Sequence, residues 1–179
     1  MSFRHLSLLL VLLSTSACSL KILAGNPRPN IAAVPRDSTM ALVISSQVAD
    51  AFAIPQQNGI MGGRVQGWHT TLRAGFGNGF NDVFRLTEAP AETTMTIDEA
   101  ELEFVPAAVS GYYGVVAVTA QVRFKATVTQ GGVKRRVAGT AVSKKSIASR
   151  NEATAGTVSA VESMYEAIAR ELFADSAAR

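Results

Sequence analysis

Side chains able to make or break a covalent bond are scarce in this sequence. It holds one cysteine, Cys18, and two histidines, His5 and His69. A zinc site takes three or four His, Cys or carboxylate ligands at fitting spacing. A nucleophilic hydrolase sets its serine on a sharp Gly-x-Ser-x-Gly turn. Neither pattern is present. His69 follows Trp68 where a helix should begin, the place of a cap or surface residue rather than a general base. Glu88 and Glu162 are carboxylates that a fold could bring together for glycoside hydrolysis, but nothing in their positions asks for it. Gly75-Phe76-Gly77-Asn78-Gly79 has the glycines of a phosphate-cradling loop. Such loops need a strand before them and a lysine or acid after, whereas these glycines fall inside a helical pattern with no lysine following. The expectation is a protein that is not an enzyme, with no catalytic residue, no metal and no cofactor.

Cys18 has a different chemistry open to it. Arg4 and His5 form a short basic start, 6–13 is apolar apart from Ser7, and 14–17 are small, the three-part layout of a secretory signal. The apolar run is shorter than the roughly 20 residues a membrane-crossing helix needs. Thr15-Ser16-Ala17-Cys18 resembles the lipobox of bacterial lipoproteins, with Thr15 where leucine is usual. The resemblance implies cleavage after Ala17 and a diacylglycerol, completed by palmitate-like chains, on Cys18. Each buried methylene contributes ~0.8 kcal/mol, so two or more chains anchor stably. A lone cysteine exported to an oxidising compartment has no internal disulfide partner, and acylation gives it a purpose. Ser19, in place of the aspartate that signals inner-membrane retention, implies the outer membrane of a Gram-negative cell, with the domain on its periplasmic side.

Removing the first 17 of 179 residues leaves enough chain for one domain and a tether. Seventeen basic residues, one of them Arg4 in the leader, stand against fourteen acidic ones. That balance is too mild for a nucleic-acid binder, which concentrates positive charge on one face. The expected division is a signal peptide over 1–17, a lipidated and proline-rich tether over 18–39, and a single α+β periplasmic domain over 40–179. Pro27, Pro29 and Pro35 fix φ and oppose helix before them, so the tether should be extended.

Within the domain, 40–45 reads as a first strand and 48–54 as its extension or a separate short element. Turn residues over 55–67 predict a loop whose centre, Ile60 and Met61, is a candidate partner contact, since exposed apolar loop residues can serve that purpose. Trp68, Leu72, Phe76 and Phe80 recur every fourth residue, one face of a helix. Gly75, Gly77 and Gly79 each cost ~1 kcal/mol against alanine there, which predicts either a close backbone approach to a sheet or an early helix end. A second strand is expected in 82–87 and a longer one over 93–105. The apolar phase of that longer strand changes from Met95 and Ile97 to Ala100, Leu102 and Phe104, predicting a bulge near Asp98-Glu99. Strict alternation over 116–128 predicts a long half-buried strand, Gly131-Gly132 a hairpin turn, and 133–147 the return. Val158, Val161, Tyr165, Ile168 and Leu172 make the stripe of a closing helix.

Glu99, Glu101 and Glu103 alternate along one strand, and Arg123, Lys125, Lys134, Arg136 and Lys144 along the next two. Cross-strand ion pairs would account for both sets. A candidate anionic-ligand face, for lipid headgroups or glycan, would use Arg123, Lys125, Lys134 and Arg136. The order of elements predicts an α+β fold, an antiparallel sheet of about four to five strands with two helices packed on one face.

The lipobox, the Pro-rich tether, a helix ending in Gly77-Asn78-Gly79-Phe80, a hairpin over 114–147 and a closing helix over 153–174 together resemble the YajG-type envelope lipoproteins. They are also similar in layout to transport- and assembly-accessory lipoproteins of the outer membrane. The resemblance implies an accessory or assembly factor that docks on another envelope protein or on its own copies, held to the membrane by lipid, with no nucleic-acid partner. The alternative is a carrier or sensor for an anionic lipid or glycan.

Overall fold

The alternating and four-residue apolar patterns resolve into two sheets and two helices. The computed structural model describes residues 20–56, 62–107, 118–147 and 149–174. In chain order the elements are β1 (Leu20–Ile22), β2 (Thr39–Ile44), β3 (Ala51–Ile54), β4 (Gly63–Gln66), α1 (Trp68–Phe80), β5 (Arg85–Leu86), β6 (Thr93–Pro106), β7 (Val118–Gln130), β8 (Val133–Ile147) and α2 (Arg150–Phe173). The fold is α+β, as the sequence predicts. A purely antiparallel sheet is not found. The five-stranded sheet has the order β5-β2-β6-β7-β8, in which β2 runs parallel to both β5 and β6 while β6, β7 and β8 are antiparallel. The helix between β2 and β6 carries the chain back to the starting end of the sheet, and that return makes β2 and β6 parallel. A second sheet, β1-β4-β3, pairs β1 parallel and β3 antiparallel to β4. It includes Gly63–Gln66, which its flanking glycines make look like loop.

The hairpin forms as expected. Gly131 and Gly132 both have positive φ, 56° and 80°, the left-handed pair a two-residue turn requires. The bulge lies at its predicted place. Ile97 faces Ala126 and Glu99 faces Lys125, leaving Asp98 as the extra residue. Its side chain accepts a hydrogen bond from Thr127 Oγ1 at 2.7 Å. Because of it, Met95 and Ile97 share the inward face with Ala100, Leu102 and Phe104 despite the change of phase, and all five are buried.

Trp68, Leu72, Phe76 and Phe80 from α1 and Val161, Tyr165, Ile168 and Leu172 from α2 are buried in the same cluster as that face and the inward side of β7. Tyr165 ties the two helices. It is fully buried, its hydroxyl donates to Leu72 O at 2.8 Å, and its ring meets Phe80 edge-on. Burial holds its phenol far above the ordinary range, so it remains a protonated donor. At the start of α2, Glu152 accepts the Ser149 N–H.

The expected tether is bound to the domain from β1 onward. Ile22, Pro27 and Pro29 are buried. Gly25 N–H donates to Thr71 Oγ1, Arg28 N–H to Glu162 and Asn30 N–H to Glu166. Asn78 Nδ2 donates to Asn26 Oδ1 and to Pro27 O, each at 2.7 Å. The glycines of α1 explain the fit. A Cβ at Gly75 would stand 2.8 Å from the Tyr165 ring, and one at Gly79 2.8 Å from Pro29 and 2.9 Å from Ile31, while one at Gly77 would touch nothing. The close approach these glycines permit is therefore to the proline segment and to α2, not to a sheet. Arg36 closes this bound segment, a strap across the helices, with its guanidinium 4.9 Å from the Phe173 ring centroid.

Candidate functional site

The strands of the main sheet have unequal lengths, and this inequality builds the site. β2 has six residues and β6 fourteen. Their pairing ends at Ile44 opposite Ile97, with one further bond from Ser45 N–H to Ile97 O. Beyond the bulge, β6 continues to Pro106 with β7 on one side and, among the described residues, no strand hydrogen-bonded to the other. The chain leaving β2 turns at 45–48, where Val48 N–H bonds Ser45 O, and returns as β3. This strand is the outer member of the small sheet and comes close to β6.

Between β3 and β6 lies a groove of about 530 Å³, within the roughly 300–1,000 Å³ of ligand clefts. Its apolar lining includes Val48, Phe52, Ile54, Ala100, Leu102 and Phe104. Its polar lining is acidic, with Asp98, Glu99, Glu101 and Glu103 against Arg123. Trp68 supports the groove from below. It is 1 % exposed, its indole Nε1 donates to Ala100 O at 3.0 Å, and its ring meets Phe52 edge-on at 5.9 Å. Asp50 fixes this corner by accepting Trp68 N–H on its carbonyl and His69 N–H on its carboxylate, since Gly67 offers the helix no side-chain cap.

The four basic candidates divide. Arg123 lies 3.4 Å from Glu103 and 3.8 Å from Glu101, and Lys125 pairs with Glu99. These are the cross-strand pairs that the alternating charges predict. Lys134 and Arg136 are exposed near the hairpin end of β8, opposite Thr129 and Thr127, with no ion pair among the described residues. All four share the outer face of the sheet, since Arg136 and Lys134 stand opposite Thr127 and Thr129 in the same phase as Lys125 and Arg123, but only Arg123 and Lys125 are engaged by carboxylates of β6. Lys144, expected on the polar face, reaches α2 instead, where its ammonium bonds Glu166 at 2.7 Å. Burial opposes charge on Glu166, but Lys144, the Asn30 N–H and Arg170 outweigh it and hold the carboxyl below its ordinary range.

His69 Nε2 lies 2.6 Å from Val48 O, a structural bond beside the groove rather than part of a dyad. Glu162 accepts the Arg28 N–H, and Glu88 is exposed after β5. Among the described residues no group of three or more His, Cys, Asp or Glu is placed to hold a metal, and no helix is long and apolar enough to cross a membrane. Cys18, Ile60 and Met61 lie outside the described residues. The groove was not foreseen. Its signal in the sequence was the mismatch between a short strand at 40–45 and a long one at 93–105. No protein-family model matches this chain, and no curated protein is significantly similar to it.

Proposed function

We propose that this chain is an outer-membrane lipoprotein, anchored through Cys18, whose folded part is an accessory or assembly module that docks on another envelope component and catalyses no reaction. The observation that carries the reading is the unpaired stretch of β6 facing β3 across a groove. A bare strand edge is a template for a further strand, and strand addition is a recurring mode of protein recognition. The lipobox and the resemblance to YajG-type accessory lipoproteins supply the membrane side of the proposal. A carrier or sensor of anionic lipid or glycan is the second reading. Lys134 and Arg136 favour it, whereas Arg123 and Lys125 already have carboxylate partners.

Two measurements test the main reading. Mass spectrometry of the mature protein should find acyl chains on an amino-terminal Cys18, and a free thiol there removes the anchor. A photoreactive residue at the exposed Ala53 on the groove wall should cross-link in cells to one envelope protein in stoichiometric yield. The same probe at exposed Thr87, after β5, should not. Equal, diffuse labelling from both positions would overturn the docking reading.

A further inference from the structure

From the two walls of the groove we infer the chemistry of its occupant: a single extended peptide segment in which basic and apolar residues alternate. The inference rests on the docking reading and specifies its ligand.

The backbone comes first. Ala100 O turns away from β7 and accepts from Trp68. Residues of an antiparallel strand direct their N–H and C=O alternately to one side and the other, so Leu102 and Phe104 direct theirs to the same open side as Ala100. No backbone partner meets them among the described residues. A segment laid along β6 would complete this ladder.

The side chains set its pattern. Glu99, Glu101 and Glu103 stand on the outer face of β6, and Ala100, Leu102 and Phe104 on the inner one. A strand added beside them presents successive side chains to the two faces in turn. One set then meets carboxylates, the other Leu102, Phe104 and the Phe52 and Ile54 side of β3. Four carboxylates line the groove against two cations, Arg123 shared by Glu101 and Glu103 and Lys125 on Glu99, and the excess of negative charge means that the first set should be cationic. Cross-strand pairs of opposite charge stabilise a sheet and like charges oppose it.

β3 and β6 come within 8 Å of each other, Cα to Cα, less than the two spacings of about 4.8 Å that a strand bonded to both would need. The segment therefore bonds β6 alone and lies against the Phe52 and Ile54 side of β3.

The test uses the purified full-length chain and two capped peptides of about eight residues, one alternating valine and lysine, the other with the same composition in two blocks. Trp68 is the only tryptophan, and its contacts with Phe52 and Ala100 make its emission a reporter of the groove. The alternating peptide should shift that emission and bind about tenfold more tightly than the block peptide. Bound, it should slow amide exchange at Leu102 and Phe104 about tenfold or more. Glu101→Lys with Glu103→Lys should weaken it by a similar factor, and near-wild-type unfolding of that variant would exclude misfolding as the cause. Equal binding of both peptides, or unchanged exchange at Leu102 and Phe104 in the saturated complex, overturns the inference. If the peptides fail while the Ala53 cross-link persists, the peptide chemistry falls and the docking reading stands; if the specific cross-link is absent as well, both fall.

Discussion

Among the described residues β6 and β8 both present an unpaired edge, and the two are built in opposite ways. β8 ends the main sheet, and most of its length from Val133 to Thr140 is exposed. Its edge carries the devices that discourage pairing. Lys134 and Arg136 alternate along it, and charged side chains blunt an edge strand. Further on it is broken by a wide bulge, since Gln121 faces Val142 and Thr119 faces Ser146, so that residues 143–145 stand opposite Ala120 alone. Ser143 and Lys145 bond each other within the bulge, and Lys144 N–H donates to Ser159 Oγ on α2. The open part of β6 has neither basic charges nor a bulge beyond Asp98. It has a wall, β3, and a floor, Trp68. One edge is protected by chemistry and the other by access.

The largest change should follow from stripping β8 of its charges. Lys134→Val with Arg136→Val removes the two alternating charges and leaves only Arg135 and the bulge further on against two-fold pairing along 133–142. Sedimentation should show the double variant associating at concentrations where the wild type keeps one species. If it sediments as the wild type does, the charges are not what keeps β8 bare.

On β6 the equivalent disruption is Trp68→Ala. It removes the floor of the groove, the bond to Ala100 O and the contact with Phe52, and truncating a buried aromatic costs about 3–5 kcal/mol. The contrasting change on β8, Val142→Ala, removes a side chain that is 47 % exposed and should stay within about 0.5 kcal/mol. Urea unfolding of the pair measures both. Similar losses would mean that β8 is held as firmly as the groove.

Much of this contrast was legible before the fold was known, in pieces. The phase change around Asp98 located the bulge, because a period of two survives only if an extra residue is looped out. The pairing of Glu99, Glu101 and Glu103 with Arg123 and Lys125 followed from alternation alone. The parallel direction of β2 did not follow, since a run such as Met-Ala-Leu-Val-Ile carries no record of its neighbours. The strap was half legible. Pro27 and Pro29 do lie outside any helix or strand, but what binds them is the notch at Gly75 and Gly79, set by a helix far along the chain. The groove needed both facts at once, unequal strand lengths and the adjacency of β2 to β6. Only the first is written locally.

Ser159→Ala tests the bulge that ends the β8 edge. It deletes the acceptor for Lys144 N–H at 3.1 Å, and a bond of this kind contributes about 1 kcal/mol. Amide exchange at Lys144 should rise in step with the loss of stability. If exchange there is unchanged, Ser159 does not hold the bulge closed.

The smallest effect expected is in acid. Glu166 holds the other side of Lys144 and also accepts Asn30 N–H, so one carboxylate links the β8 bulge to the strap. Its carboxyl is depressed in the folded state. The unfolded chain therefore binds its proton at a higher pH than the folded one does. The stabilisation is complete above the unfolded value, near 4.3 for a glutamate, and is lost as pH falls through the lower folded value. Lys144→Gln removes the ammonium but leaves Asn30 and Arg170, so the variant should lose part of this acid dependence and keep the rest. Urea midpoints of the two proteins should converge as the pH falls below about 4 and separate above it. A gap of constant size across that range would mean that Lys144 acts by packing alone, and that the protection of β8 owes nothing to this ion pair.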